Sequence, residues 1–255
     1  LLPDEVEAIK AFALSHPKVG YRKLSYMMLD QDIVAVSESA VYRVLREADL
    51  LSRWKRHTRS SGQYLFKPTG PNQQWHTDVM YVWVGCRHYF LLSFVDAYSR
   101  FVVHHRLLTE LTGRAVSIEL EAALAACGTV KPRIVHDHGS EFCNVELKAV
   151  IKAHDLKDIR TRARHPESNG IVERFNGTVR QDSDNYYGDN YLSAQSIVGQ
   201  LIHEYNHSRL HAALGYMEPR EVHFGNPEQR REQRRHKLDK ARETRRACNR
   251  SLLAA

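Results

Sequence analysis

Apolar positions recur at helical spacing through the first fifty residues. They predict helices over residues 4–14, 21–31 and about 38–48. Gly20 opens the second and Ser37 suits the N-cap of the third. Val41, Val44, Leu45 and Ala48 share one face of that third helix, while its other face shows Ser39, Tyr42, Arg43 and Arg46. Short helices joined by a tight turn before a basic helix form a helix-turn-helix pattern. An ordinary three-helix packing unit with a solvated arginine face is the competing reading.

From residue 73 the period changes. Residues 75–84, 88–95 and 101–107 are rich in Val, Tyr, Phe and Trp and predict three strands joined by short turns. Residues 112–126 then predict a helix, 133–136 a short buried strand, 141–154 a helix and 157–161 a fifth strand. A basic loop at 162–167 leads to a helix capped by Ser168 or Asn169 and running to about 182, and a further helix covers 194–207. Three antiparallel strands followed by alternating helix and strand give an α/β fold with a mixed sheet and helices on both faces. The expected division is a helix-turn-helix unit at 1–51, a linker at 52–72, a core at 73–212 and a tail at 213–255. The linker is poor in apolar residues and carries Arg53, Lys55, Arg56, Arg59 and Lys67 with no acid.

Composition narrows the partners. The chain has 255 residues, 42% of them hydrophobic, which suffices for a sizeable core. Its net charge is +7 and its pI about 9.2, favouring an anionic partner, of which nucleic acid is the commonest. Residues 226–250 hold ten Lys/Arg against four Asp/Glu, either a solvated charged helix or an arm for DNA or a protein partner. Cys86, Cys127, Cys143 and Cys248 have neither zinc-site nor disulfide-framework spacing. No apolar run approaches the ~20 residues of a membrane span, and no signal peptide is visible, so a cytoplasmic setting is expected. The first residue is Leu1 rather than Met, and sequence upstream of it is expected.

Three acids interrupt this pattern. Asp78 lies inside an otherwise apolar strand, where an unpaired charge is costly. Asp137 ends the fourth strand. Glu173 lies one turn into a later helix, separated from Asp137 by thirty-five residues. In that helix Val172, Phe175 and Val179 form the apolar stripe, which sets Glu173 on the other face with Asn169, Asn176 and Arg180. Each acid alone has a bland reading, at a bulge, a turn or a solvated helix face. Together they can converge if the first and fourth strands are neighbours. Hard divalent cations such as Mg²⁺ take oxygen ligands, and two of them about 4 Å apart clamp the attacking and leaving oxygens of an in-line displacement. Asn169, Asn176 and Arg180, with Arg162 and Arg164 upstream, suit contacts to a phosphate backbone, as do Arg43, Arg46, Arg53, Lys55 and Arg56.

The stretches T-D-V-M-Y-V, F-V-D-A-Y-S-R, H-D-H-G-S-E-F and H-P-E-S-N-G-I-V-E-R-F-N-G-T-V-R resemble the integrase catalytic core of DDE transposases. The resemblance is to bacterial insertion-sequence transposases of the two-frame kind, themselves similar to retroviral integrases. G-Y-R-K-L and S-A-V-Y-R-V-L-R-E-A-D-L resemble the helix-turn-helix segment ahead of that core, and Y-N-H-S-R-L-H-A-A-L-G-Y-M-E-P resembles the C-terminal signature. The match spans roughly residues 18–222.

That resemblance implies a ribonuclease-H-like fold, with Asp78, Asp137 and Glu173 as catalytic ligands of two Mg²⁺ ions and Mn²⁺ able to substitute. It implies 3′-end nicking by water, then strand transfer by the freed 3′-hydroxyl, with no covalent protein–DNA intermediate. The implied partners are double-stranded DNA at element ends and target, at least one further copy of the chain, and an upstream DNA-binding companion product. The implied setting is the bacterial nucleoid. Asp96 reads as structural. His136 and His138 depart from the family pattern, where small or amide residues are usual, and either could contact DNA or metal or sit in a turn. A nuclease without joining activity and a catalytically silent DNA-binding regulator are the alternatives.

Overall fold

The computed structural model of the chain describes residues 1–51, 66–161 and 170–253. The chain divides into two compact units.

The first unit comprises Leu1–Thr58, Leu210–Met217 and Gly225–Ala255. Helices α1 (Pro3–Ser15), α2 (Tyr21–Asp30) and α3 (Glu38–Glu47) enclose Ile9, Leu24, Met28, Val41, Val44 and Leu45. Ser37 caps α3, its hydroxyl accepting the Ala40 N–H at 3.3 Å. The expected face of α3 is the buried one, except that Ala40 replaces Ala48 on it. The basic tail forms a 27-residue helix, Pro227–Leu253, the ninth along the chain (α9). Its Arg234 is 6% exposed and grips Asp30 at the end of α2 through Nε–Oδ1 at 2.9 Å and Nη2–Oδ2 at 2.6 Å. The same guanidinium donates to the carbonyls of Gly215 and Tyr216 and lies 4.8 Å above the Tyr26 ring. Burial alone would raise the Asp30 carboxyl; the bonds from Arg234 and Arg230 outweigh it and hold the carboxyl below its ordinary value. Arg245 adds a bond to Glu5 at 2.7 Å, and Lys237 one to Asp32 at 2.6 Å.

The second unit comprises Arg59–Arg209 and Glu218–Phe224. Strands β1 (Gln74–Val84), β2 (Arg87–Asp96), β3 (Val102–Leu108), β4 (Arg133–His136) and β5 (Lys157–Arg160) form one sheet in the order β3-β2-β1-β4-β5. β1–β2 and β2–β3 are antiparallel, whereas β1–β4 and β4–β5 are parallel. This is the mixed sheet the sequence pattern predicts. The β1–β2 turn uses Gly85 at φ +59°, where a side chain would be strained and its Cβ would meet the Asp189 carbonyl at 3.1 Å.

Period-two alternation sends the two faces of the sheet to different helices. Trp75, Leu92, Phe94 and Ile134 pack against α4 (Gly113–Cys127) and α5 (Val145–Ala153). Met80, Val82, Leu91 and Val95 pack against α6 (Gly170–Asp182) and α7 (Tyr191–His207). Phe175 is fully buried at that second interface, edge-on to Tyr205 at 4.9 Å. Truncating it to alanine would cost about 3–5 kcal/mol and loosen α6 from the sheet. A 3₁₀ turn (Ala212–Leu214) and α8 (Pro219–Phe224) complete the elements.

Most boundaries fall within one residue of expectation, and two helix starts differ by three or more. α5 starts at Val145, not 141, because the Asn144 side chain accepts the Leu147 N–H at 2.7 Å and so caps the helix there. α7 starts at Tyr191, not 194, because Asn190 and Ser193 form a reciprocal capping box.

Candidate active site

Sheet register brings the first two acids together. Parallel pairing sets Gln74 opposite Arg133, Trp75 opposite Ile134 and His76 opposite Val135. Continued by two places, that register aligns Asp78 with Asp137 on one face. It is the face that α6 covers with Val172, Phe175 and Val179. Glu173 projects from the exposed side of α6, next to that buried stripe.

The electrostatics tie the three acids into one neighbourhood. Desolvation raises the Asp78 carboxyl most, and the charges of Asp137 and Glu173 add to it, pushing it up to about 6. Bonds from the Val79 backbone and the Asn176 amide oppose this and do not reverse it. Glu173 is raised as well, by desolvation. Asp137 is held by its surroundings: its Oδ1 accepts the Gly139 N–H at 2.9 Å, an Asx-type turn. Among the described residues no group of three or more His, Cys, Asp or Glu closes on a point that could hold a metal ion. The donor chemistry nevertheless fits a hard divalent cation. It is an all-oxygen carboxylate set whose mutual repulsion a cation would relieve.

Asn176 is buried, at 4% exposure, and its Nδ2 donates to Asp78 Oδ2 at 2.9 Å. The amide nitrogen thus serves the carboxylate rather than lying on the surface beside Glu173. A signal for this was present in the sequence, since 172, 175, 176 and 179 complete an i, i+3, i+4, i+7 stripe. Arg180, Arg43 and Arg46 are exposed, Arg46 with its guanidinium 6.0 Å from the Tyr42 ring centre. Arg53, Lys55, Arg56, Arg162, Arg164 and Asn169 lie outside the described residues.

The flanking histidines part ways. His138 is exposed. His136 is fully buried, stacked on Phe142 at 5.1 Å, with Nε2 2.7 Å from Asp158 Oδ1 and Nδ1 2.6 Å from the Asp137 carbonyl oxygen. Asp96 is buried too, and accepts from the backbone N–H groups of Asn72, Tyr98 and Ser99 and from the Ser99 hydroxyl. It is the structural anchor of the β2–β3 turn.

Comparison with known proteins follows the same division. Two models described as integrase core domain match residues 68–166 and 154–219, and a model described as an HTH-like domain matches residues 3–58. An insertion element IS600 protein of 31 kDa from Shigella sonnei is 26% identical over 219 residues, covering 78% of this chain and 79% of that protein. An insertion element IS407 protein of 31.7 kDa from Burkholderia multivorans is 28% identical, covering 86% and 80%. The transposase InsF of insertion sequence IS3A from Escherichia coli K12 is 24% identical, covering 63% and 57%. Among solved structures, a simian T-cell lymphotropic virus intasome chain shares the fold, with TM-score 0.56, 16% identity and coverage of 86% and 75%. The HTLV-2 integrase catalytic core in its dimeric form gives TM-score 0.50 at 19% identity, covering 62% of this chain and 100% of that one. The two core models together span residues 68–219: the chain carries an integrase core domain, with an HTH-like domain ahead of it.

Proposed function

We propose that the chain is a divalent-metal-dependent DNA transposase that nicks element ends and joins them to target DNA. Its integrase core domain and its insertion-element relatives support DNA transposition as the process. The observation that carries the chemistry is Asp78, a carboxyl raised to about 6 by desolvation and by the charges of Asp137 and Glu173. A site that keeps three like charges near one another is organised for a cation.

Asp78, Asp137 and Glu173 are the residues that would hold Mg²⁺, with Mn²⁺ as a substitute. When bound, the metal supplies charge neutralisation at the phosphate under in-line attack. The protein's own contribution is placement. β1 and the end of β4 hold two carboxylates at fixed register, α6 adds the third, and Asn176 sets the rotation of Asp78. Water attacks the phosphorus at the element end, the P–O3′ bond breaks, and a 3′-hydroxyl is released. That hydroxyl then attacks a target phosphodiester, forming a new P–O bond while the target strand's 3′-oxygen leaves. Arg43 and Arg46 on α3 and Arg180 on α6 are exposed and would meet phosphates. Two ends must be cut and joined, so at least two copies act together on DNA.

The test is a labelled element end incubated with Mg²⁺ and read for both nicking and joining. Wild type gives both products. Asp137→Asn retains DNA binding and loses both. Nicking without joining of a pre-cut 3′ end would identify a nuclease instead, and normal joining by Asp137→Asn would sink the assignment.

A further inference from the structure

We infer that His136, braced by Asp158, is a positioning residue for the Asp137 carboxylate. The inference rests on the metal-dependent reading above and extends it to two residues outside the acidic set.

Sheet geometry explains the arrangement. In β4, Ile134 and His136 point to the face covered by α4 and α5, opposite to the face on which Asp78 and Asp137 align. On β5, Asp158 pairs with Ile134 and Arg160 with His136, so Asp158 is the diagonal neighbour of His136 on the same face. Its carboxylate reaches across at 2.7 Å to Nε2. The other ring nitrogen lies 2.6 Å from the carbonyl oxygen of Asp137. Phe142 covers the ring at 5.1 Å, nearly parallel to it, and the His136 side chain is wholly enclosed. The imidazole therefore has two fixed oxygen partners and no room to rotate.

The consequence falls on Asp137. Beyond His136 the strand ends, and a chain leaving a sheet is free to swing unless something ties it. Two ties are present. The Asp137 carbonyl is bound to the imidazole, and its Oδ1 is bound to the Gly139 N–H. Together they fix the backbone and one carboxylate oxygen, and among the described residues Oδ2 carries no hydrogen bond. The backbone of Asp137 is thus preset, and Oδ2 is the oxygen left for a ligand. Partners behind a metal ligand commonly change metal affinity 10–100-fold when removed. His136 differs from such a partner only in acting through the main chain.

Asparagine and glutamine at position 136 separate positioning from simple filling. An Asn amide reaches roughly where Nδ1 lies and keeps the donor to the Asp137 carbonyl. A Gln amide reaches roughly where Nε2 lies, keeps contact with Asp158 and loses the carbonyl. The measurements are Mg²⁺- and Mn²⁺-dependent thermal shift of the full chain without DNA, and the Mg²⁺ concentration for half-maximal nicking. The inference expects about a tenfold weaker metal response for His136→Gln, a milder loss for His136→Asn, unchanged DNA affinity for both, and metal-free melting temperatures that are similar in the two variants, since each gives up one buried bond. Metal responses equal to wild type in both variants would overturn it. So would equal losses of metal response in the two variants that simply track their falls in metal-free melting temperature, which would mark the ring as filler. If wild type itself neither responds to metal nor nicks DNA, the transposase reading fails and this inference with it. An active wild type beside a normal His136→Gln removes this inference alone.

Discussion

Asp78 and Asp96 lie on adjacent antiparallel strands of one sheet, and burial penalises the charge of both. Their carboxyls move in opposite directions. Burial acts first on Asp96 and would raise it, but His223, three backbone N–H groups and the Ser99 hydroxyl more than offset this and hold it below the ordinary value. Asp78 has the Val79 backbone and one Asn176 amide on its side, and two like charges against it. Both carboxyls are desolvated, Asp96 more completely than Asp78, so unequal donor supply is what separates a carboxylate that builds the fold from one that opposes it. The second kind persists where activity needs it.

The comparison can be broken most sharply at Asp78. Asp78→Asn is expected to lower nicking and joining by at least about a thousandfold, since it removes a proposed metal ligand whose contribution would be several kcal/mol. The same substitution should hold or raise thermal stability, because the repulsion disappears while Asn176 keeps an oxygen to donate to. A variant with normal activity, or one that unfolds, would put Asp78 in the class of Asp96.

Asp96→Ala should do the reverse. It leaves several buried donors without an acceptor and is expected to destabilise the second unit by about 3–5 kcal/mol in denaturant melts. A loss under about 1 kcal/mol would mean those donors find other partners.

Protonation gives the third contrast. Asp78 titrates near 6 in the folded chain and near 3.8 when unfolded, so between those pH values the folded state binds more protons. Stability therefore falls as pH rises from about 4 to 6, by up to about 3 kcal/mol at roughly 1.4 kcal/mol per pH unit. Asp96 has the opposite sign: its contribution is present above its unfolded value and is lost as pH falls through its depressed folded value. Melts at graded pH on wild type and Asp78→Asn isolate the first effect, and an unchanged slope in the variant would remove it. The smallest effect is expected from Mg²⁺ at neutral pH. A concentration ten times the dissociation constant should add about 1.4 kcal/mol to wild type and less to Asp78→Asn. Equal shifts in both proteins would place the bound ion elsewhere.

How much of this was readable beforehand depends on the range of the interaction. Asp78, Asp137 and Glu173 stand out because each breaks an apolar pattern, and the exposed face of α3 follows from helical spacing alone. Asn176 lies on the border of two helical faces: its spacing from Glu173 and Arg180 predicts the wet side of α6, its spacing from Val172, Phe175 and Val179 the buried stripe. Only the partner, 98 residues away, decides between the two faces. His136 was visible as a departure from the family pattern, but its bond to Asp158 needs the β4–β5 register, which no local pattern states. The starts of α5 and α7 are set by capping from Asn144 and Asn190, short-range contacts that apolar spacing alone does not register.

The grip of Arg234 on Asp30 spans 204 residues of chain. A ribosome adding about 5–20 residues per second takes roughly 10–40 s to cover that distance. For that interval the nascent α2 displays Asp30 and the Tyr26 ring with no guanidinium to meet them. The helical unit made first is therefore among the last to be completed, and a message cut short before α9 yields that unit without its clasp.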